Sequence, residues 1–254
     1  MNIVTEIKEW QAIRTRLGNQ TIGFVPTMGN LHAGHLSLCA RAKADNEITV
    51  VSIFINPTQF NQPQDFTSYP RTLEQDIIML DSNGIDFLIH PNTENMYPDN
   101  YQLQVSETAE SLILEGAYRP GHFNGVLTIV LKLLHLVQPT HAYFGEKDYQ
   151  QLLLIRKMAA SLFLPAKIVA CPTIRGTGAL ALSSRNSRLS PQQYEKALKF
   201  PQLLHSALNT AKIAEELITL GFKVDYITER WQRRLGAVWI DDIRLIDNIP
   251  NDLV

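Results

Sequence analysis

FVPTMGNLHAGHLSL, residues 24–38, is the stretch on which the fold turns. Its start continues an apolar, strand-like run from residue 21, Gly29 and Gly34 punctuate the middle, and from near His35 the pattern is that of a helix. A buried strand that enters a glycine-containing turn and then a helix opens a βαβ unit.

Working outward, the β-branched run 48–55 reads as the next strand. A helix follows over 73–83, with Gly84 placed as its C′ residue, then a strand over 85–89 that Pro91 ends. Helices over 124–137 and 149–162 alternate with strands over 141–144 and 167–170. Five strands separated by helices predict an α/β fold on a parallel, doubly wound sheet, because crossover helices must cover both faces. Beyond Arg188 the texture changes. Pro191 opens a helical run, another helix ends at Gly221, and short strands read over 223–227 and 244–246. A boundary within 174–190 is therefore expected, with a main domain over 1–175 and a smaller α+β domain over 176–254.

The 254 residues are 45% apolar and 19% charged, enough to fill a core and unlike a disordered chain. The net charge of −2 gives no basic footprint for nucleic acid. The N-terminal residues lack the basic start and apolar run of a signal peptide, and no run is long enough to span a bilayer, which points to the cytoplasm and away from membranes. Cys39 and Cys171, the two cysteines, have no spacing suited to zinc and read as reduced packing residues.

Four segments carry groups able to do chemistry. In residues 24–38, His32 and His35 stand three apart at a helix start, a spacing that puts both imidazoles on one side beyond the carboxyl end of a strand. Free backbone N–H groups and the positive helix end there favour phosphate; the bland alternative is a glycine turn with two solvated histidines. In IFINPTQF, residues 53–60, Asn56 and Gln59 come to the same strand-end edge. The Gln59 amide, donor and acceptor at once, suits a ligand with hydroxyl and carboxylate groups, although Asn-Pro alone also reads as a strand-ending turn.

YFGEKDYQQL, residues 143–152, repeats the strand–turn–helix pattern. Gly145 permits the turn, Lys147 offers a point charge for phosphate, Asp148 can accept from ribose hydroxyls, and Gln151 lies one helical turn further on. By itself, such a charged run is usually solvated surface. LALSSRNSRLS, residues 180–190, brings Ser183, Ser184 and Arg185 to the expected boundary, a composition suited to a triphosphate and its departing pyrophosphate, and also to an ordinary linker. No Gly-x-Ser-x-Gly elbow and no P-loop is present.

Together with YPRT (69–72), RPGHF (119–123), SSRN (183–186) and RLIDNI (244–249), these segments resemble the pantothenate synthetase family, in that family's order. The resemblance is dense over 20–190 and returns at 244–249. It implies a Rossmann-like nucleotidyltransferase fold related to class I aminoacyl-tRNA synthetases. It further implies ATP contacts from Met28, Gly29, Asn30, Leu31, His32, Ala33, Gly34 and His35, from Gly145, Glu146, Lys147 and Asp148, and from Ile174, Leu182, Ser183, Ser184 and Arg185. By the same resemblance Gln59 and Gln151 hold pantoate, with Gln59 also near β-alanine. His35 donates a proton, with His32, Lys147 and Arg185 as its catalytic companions. Mg2+ accompanies ATP, with Asp76 as candidate ligand, and the chain forms a homodimer.

Two departures stand out. Gly178-Ala179 replaces the Asp-Gly pair that often precedes the Ser-Ser-Arg segment, and the stretch between Tyr226 and Arg244 is short for a covering lid. The implied reaction joins pantoate to β-alanine through a pantoyl-adenylate. Its rivals are a nucleotidylyltransferase acting on a phosphate ester, which should demand more cationic groups than Gln59 and Gln151 provide, a small aminoacyl-tRNA synthetase relative, and a non-catalytic nucleotide-binding module.

Overall fold

Runs rich in valine, isoleucine and phenylalanine are held extended at little cost, and each gains a ladder of hydrogen bonds when paired. In the computed structural model, which describes residues 1–61 and 63–253, such runs build one parallel sheet. In chain order the elements are β1 (Asn2–Val4), α1 (Ile7–Leu17), β2 (Ile22–Thr27), α2 (Ala33–Asp45), β3 (Ile48–Ile53), α3 (Pro63–Thr67), α4 (Leu73–Ser82) and β4 (Phe87–Ile89). They continue with α5 (Thr93–Met96), α6 (Glu115–Tyr118), α7 (His122–Val137), β5 (His141–Gly145), α8 (Tyr149–Ser161) and β6 (Lys167–Cys171).

The strand order is β1-β4-β3-β2-β5-β6 and every pairing is parallel. The expected doubly wound α/β sheet is thus present, with six strands rather than five. The additional strand, β1, has three residues on the sheet edge, too few for a periodic signal. β2 lies between β3 and β5, so the order reverses there, and right-handed crossovers leading in opposite directions put α2 and α7 on opposite faces.

On one side Val25, Leu38, Val51, Leu80 and Leu88 form a buried cluster that also takes in Cys39 and Cys171. Both cysteines are therefore packing groups, and burial pushes the Cys39 thiol up to about 12. α7 buries most of its surface, and the fully buried Trp10 of α1 donates to the Leu136 carbonyl at 2.9 Å. Among the described residues no helix is long and apolar enough to cross a membrane.

The chain divides into two compact units. The first comprises Met1–Gly145 and Gln150–Cys171; the second comprises Glu146–Tyr149 and the chain from Pro172 on. Val254, the end of the expected second domain, lies outside the described residues. The second unit holds α9 (Pro191–Ala197), α10 (Lys199–Leu204), α11 (Thr210–Thr219) and an antiparallel sheet of β7 (Lys223–Arg230), β8 (Arg233–Ile240) and β9 (Ile243–Pro250). Ser190 and Gln193 form a reciprocal cap on α9, and Asn209 caps α11.

Phe200, Leu204, Ile213, Leu217, Val238 and Leu245 fill this unit's core. β8 is absent from the sequence reading because its nearly unbroken buried run lacks the alternation of a half-exposed strand. Its short connections explain the brevity of the 226–244 region. Trp231 and Gln232, both with positive φ, link Arg230 to its pairing partner Arg233, and Asp241 and Asp242 link Ile240 to Ile243.

Candidate active site

In the first unit, ligands of an open parallel sheet are expected beyond the carboxyl ends of the strands near the order reversal, which here means the loops after β2 and β3. The loop after β2 is tightly held. Gly29 and Asn30 adopt φ of 79° and 50°, so successive N–H groups turn inward. The Gly29 N–H donates to Thr27 Oγ1 at 3.2 Å, while those of Asn30 and Leu31 donate to the two carboxylate oxygens of Asp76 at 2.9 and 2.8 Å. A Cβ on Gly29 would lie 3.0 Å from Asp76 Oδ2, so position 29 requires glycine for both its φ and its proximity to α4.

Two expectations change with this geometry. The N–H groups of residues 29–31 are engaged inside the protein, which moves any phosphate-directed donors towards the start of α2. Asp76, 1% exposed, also accepts from Thr72 Oγ1 at 3.2 Å and is the anchor of this loop. Among the described residues no three metal-capable side chains gather. A donor set whose one carboxylate is already surrounded by N–H and O–H donors does not fit a resident Mg2+.

His32 caps α2, with Nδ1 accepting from the Gly34 N–H at 3.1 Å. In the neutral ring this places the proton on Nε2. The His32 and His35 ring centroids are 4.1 Å apart, so the two imidazoles come together on one side of the helix start, as their spacing predicts. The cap engages His32 through Nδ1.

The loop after β3 contains a short 3-10 turn, Pro57–Gln59. Asn56, 1% exposed, is its internal support: Nδ2 donates to the Gly125 carbonyl and to Gln59 Oε1, both at 3.1 Å, and Oδ1 accepts from the Tyr97 and Thr58 hydroxyls. Gln59 Nε2 points to Met28 Sδ at 3.1 Å, which brings two of the expected contact residues together. Residues that sequence reasoning left without a role complete the support. Because a guanidinium only donates, Arg119 Nη1 donates to His122 Nε2 at 3.0 Å, which leaves His122 Nδ1 to donate to the Gln59 carbonyl at 2.8 Å. Glu115 lies 3.8 Å from Arg119.

Gln150 and Gln151 divide differently than adjacency in sequence indicates. Gln150 is buried and bonded to the 110–115 backbone, accepting from the Glu115 N–H and donating to the Glu110 and Ile113 carbonyls. Gln151, the expected pantoate residue, is half-buried on α8.

In the second unit, Glu146–Asp148 forms a 3-10 turn immediately after Gly145. The Asn248 side-chain amide donates to the Glu146 and Lys147 carbonyls at 2.9 and 2.8 Å, and Lys147 Nζ lies 3.9 Å from Asp148 Oδ2. Ile174 and Leu182 are joined by a hydrogen bond from the Leu182 N–H to the Ile174 carbonyl at 3.0 Å, which closes the intervening loop. Ser183 caps the next turn by accepting from the Arg185 N–H at 3.2 Å, with Ser184 and Arg185 half-buried within it. At the Gly178-Ala179 departure, φ is 66° and 64°, so Ala179 occupies a conformation in which glycine is unstrained.

Residues 2–250 match the family described as pantoate-beta-alanine ligase. The chain is 52% identical to the pantothenate synthetase of Legionella pneumophila (strain Corby), over 98% of this chain and 99% of that one. It is 51% identical to the pantothenate synthetase of Coxiella burnetii (strain Dugway 5J108-111), over 98% of this chain and 96% of that one. The crystal structure of the Francisella tularensis pantoate-beta-alanine ligase, complexed with a β,γ ATP compound and β-alanine, superposes with a TM-score of 0.96 at 43% identity, covering 99% of this chain and 98% of that one. A family match over nearly the whole length, relatives of matching length and a shared fold agree: the chain belongs to the pantoate-beta-alanine ligase family.

Proposed function

We propose that the chain makes pantothenate in two steps: a pantoate carboxylate oxygen attacks the α-phosphorus of ATP and expels pyrophosphate, and the amine of β-alanine then attacks the acyl carbon of the pantoyl-adenylate and expels AMP. The overall reaction, ATP-dependent ligation of pantoate and β-alanine, is that of the family, and the match over residues 2–250 carries it. The two-step route follows from chemistry. A carboxylate has no leaving group that an amine can displace at neutral pH, and adenylation supplies one.

In this reading Met28 to His35, Gly145 to Asp148, Ile174 and Leu182 to Arg185 receive ATP. His35 donates a proton to the phosphates, and His32, with a proton on Nε2, donates beside it. Lys147 and Arg185 offset the charge that develops as pyrophosphate leaves. Gln59 and Gln151 hold the hydroxyl and carboxylate groups of pantoate, and Gln59 also serves β-alanine. The buried support beneath Gln59, from Asn56 and His122, favours this role, because a side chain with a fixed base orients a substrate better than a mobile one. Mg2+ bound to the phosphates would neutralise charge there, while the Asp76 carboxylate stays engaged with the Asn30 and Leu31 N–H groups. A homodimer is the expected assembly, supported by the resemblance and by the sheet edges β1 and β6; sedimentation as a monomer at micromolar concentration would count against it.

The test is product stoichiometry. With ATP, pantoate and β-alanine, one AMP should appear per pantothenate, and omission of either acceptor should stop AMP release. ADP in place of AMP, or AMP formation with a phosphate ester but not with pantoate, would replace this reading with one of its rivals.

A further inference from the structure

The turn that carries Lys147 continues directly from β5, yet Glu146–Tyr149 belongs to the second compact unit. The β8–β9 hairpin holds it. Asn248 of β9 is 2% exposed, and all of its polar groups are engaged. Nδ2 donates to the carbonyls of Glu146 and Lys147, Oδ1 accepts from Arg233 Nε at 2.5 Å, its N–H donates to Asp247 Oδ1 at 2.7 Å, and its carbonyl accepts from Arg175 Nη2 at 3.1 Å. The amide orientation is fixed by this set, since a flipped amide would set oxygen against two carbonyls and nitrogen against a guanidinium.

Behind it, Asp247 forms a two-pronged pair with Arg175 at 2.7 and 2.9 Å. Arg233 reaches the same turn a second way, 3.3 Å from the Glu146 carboxylate and stacked 4.4 Å over the Tyr149 ring. Both ends of the turn are thus fastened to one hairpin, and the carbonyl of Lys147 itself is one of the fastening points.

We infer that Asn248 is a positioning residue for Lys147, fixing the backbone from which the ammonium reaches the ATP phosphates. The inference rests on the proposed role of Lys147. Replacement of Asn248 by aspartate keeps the shape and the acceptor for Arg233 but sets carboxylate oxygen against the two turn carbonyls, so the turn must shift. Misplacement of a catalytic group by about 1 Å lowers a rate on the order of a hundredfold, and a smaller shift of the turn is expected to cost about tenfold.

The experiment compares pantoate-dependent exchange of labelled pyrophosphate into ATP for the full-length wild type, Asn248→Asp, Lys147→Ala and the double variant, with circular dichroism to confirm folding. Asn248→Ser, which removes the clamp with less electrostatic disturbance, serves if the aspartate variant does not fold. The expected result is a fall in kcat of at least about tenfold for the Asn248 variant, pantoate KM within about twofold of wild type, and a double variant no slower than Lys147→Ala alone. A folded Asn248 variant with wild-type exchange beside an impaired Lys147→Ala would overturn the inference and leave the Lys147 role standing. Defects that multiply in the double variant would also overturn it, by placing the action of Asn248 elsewhere. Wild-type exchange in Lys147→Ala would instead remove the role on which the inference rests.

Discussion

Replacing Gly125 with alanine should damage the pantoate side of the reaction through packing alone. Gly125 lies inside α7, and a Cβ there would sit 2.4 Å from the Thr58 carbonyl oxygen and 2.6 Å from the Gln59 nitrogen. Both are backbone atoms, so no side chain can swing aside. A carbon–oxygen contact relaxes near roughly 3.3 Å, so the 57–59 turn must retreat by about 1 Å. Overpacking of this kind costs roughly 1–3 kcal/mol, and alanine regains about 1 kcal/mol over glycine within a helix. The net loss expected is up to about 2 kcal/mol of stability, read as a lower urea midpoint. The same retreat should weaken the His122 and Asn56 bonds to Gln59 and raise pantoate KM roughly tenfold while sparing ATP. A variant with the wild-type midpoint and pantoate KM would refute the claim that α7 sets the height of the Gln59 turn.

Four further outcomes are expected. Gln59→Ala and Gln151→Ala should each raise pantoate KM with ATP affinity retained in calorimetry; loss of ATP binding with intact pantoate affinity would reverse the assignment. His32→Gln and His35→Gln should each lose pyrophosphate exchange yet still convert preformed pantoyl-adenylate and β-alanine to pantothenate, and unchanged exchange in both would leave them as turn residues. Ala179→Gly should gain on the order of 0.5 kcal/mol, relief of left-handed strain partly offset by unfolded-chain entropy, so a lower melting temperature would contradict the strain. At Glu107, burial acts to raise the carboxyl, but the Lys157 ion pair and the N–H groups of Ser111 and Ala109 more than offset it and hold it at about 2. Its folded value is below its ordinary one, so its stabilisation is present above pH 4.5 and is lost as pH falls towards 2; Glu107→Gln should flatten acid unfolding in that window, and an unchanged acid limb would count against the network.

The parallel sheet was legible because the run from Ile48 to Ile53 and the helix from His122 to Val137 carry strong periodic or apolar signals. β1 and β8 were not, the one too short and the other buried along nearly its whole length. The pairing of His32 with His35 could be read from their three-residue spacing at a helix start. What could not be read was which polar groups face inward. Asp76 and Asn248 look in sequence like many acidic and amide residues, and their functions as anchors come from carbonyls and N–H groups brought close only by the fold. Gln150 and Gln151 show the same limit, since adjacent glutamines on one helix differ by about 100° in direction and only packing decides which is buried.

The two-step ligation is tested most directly by exchange of labelled pyrophosphate into ATP with pantoate present and β-alanine absent. Adenylation before amine attack predicts exchange that depends on pantoate and needs no β-alanine. Exchange absent until β-alanine is added, or equally fast without pantoate, would contradict a pantoyl-adenylate intermediate.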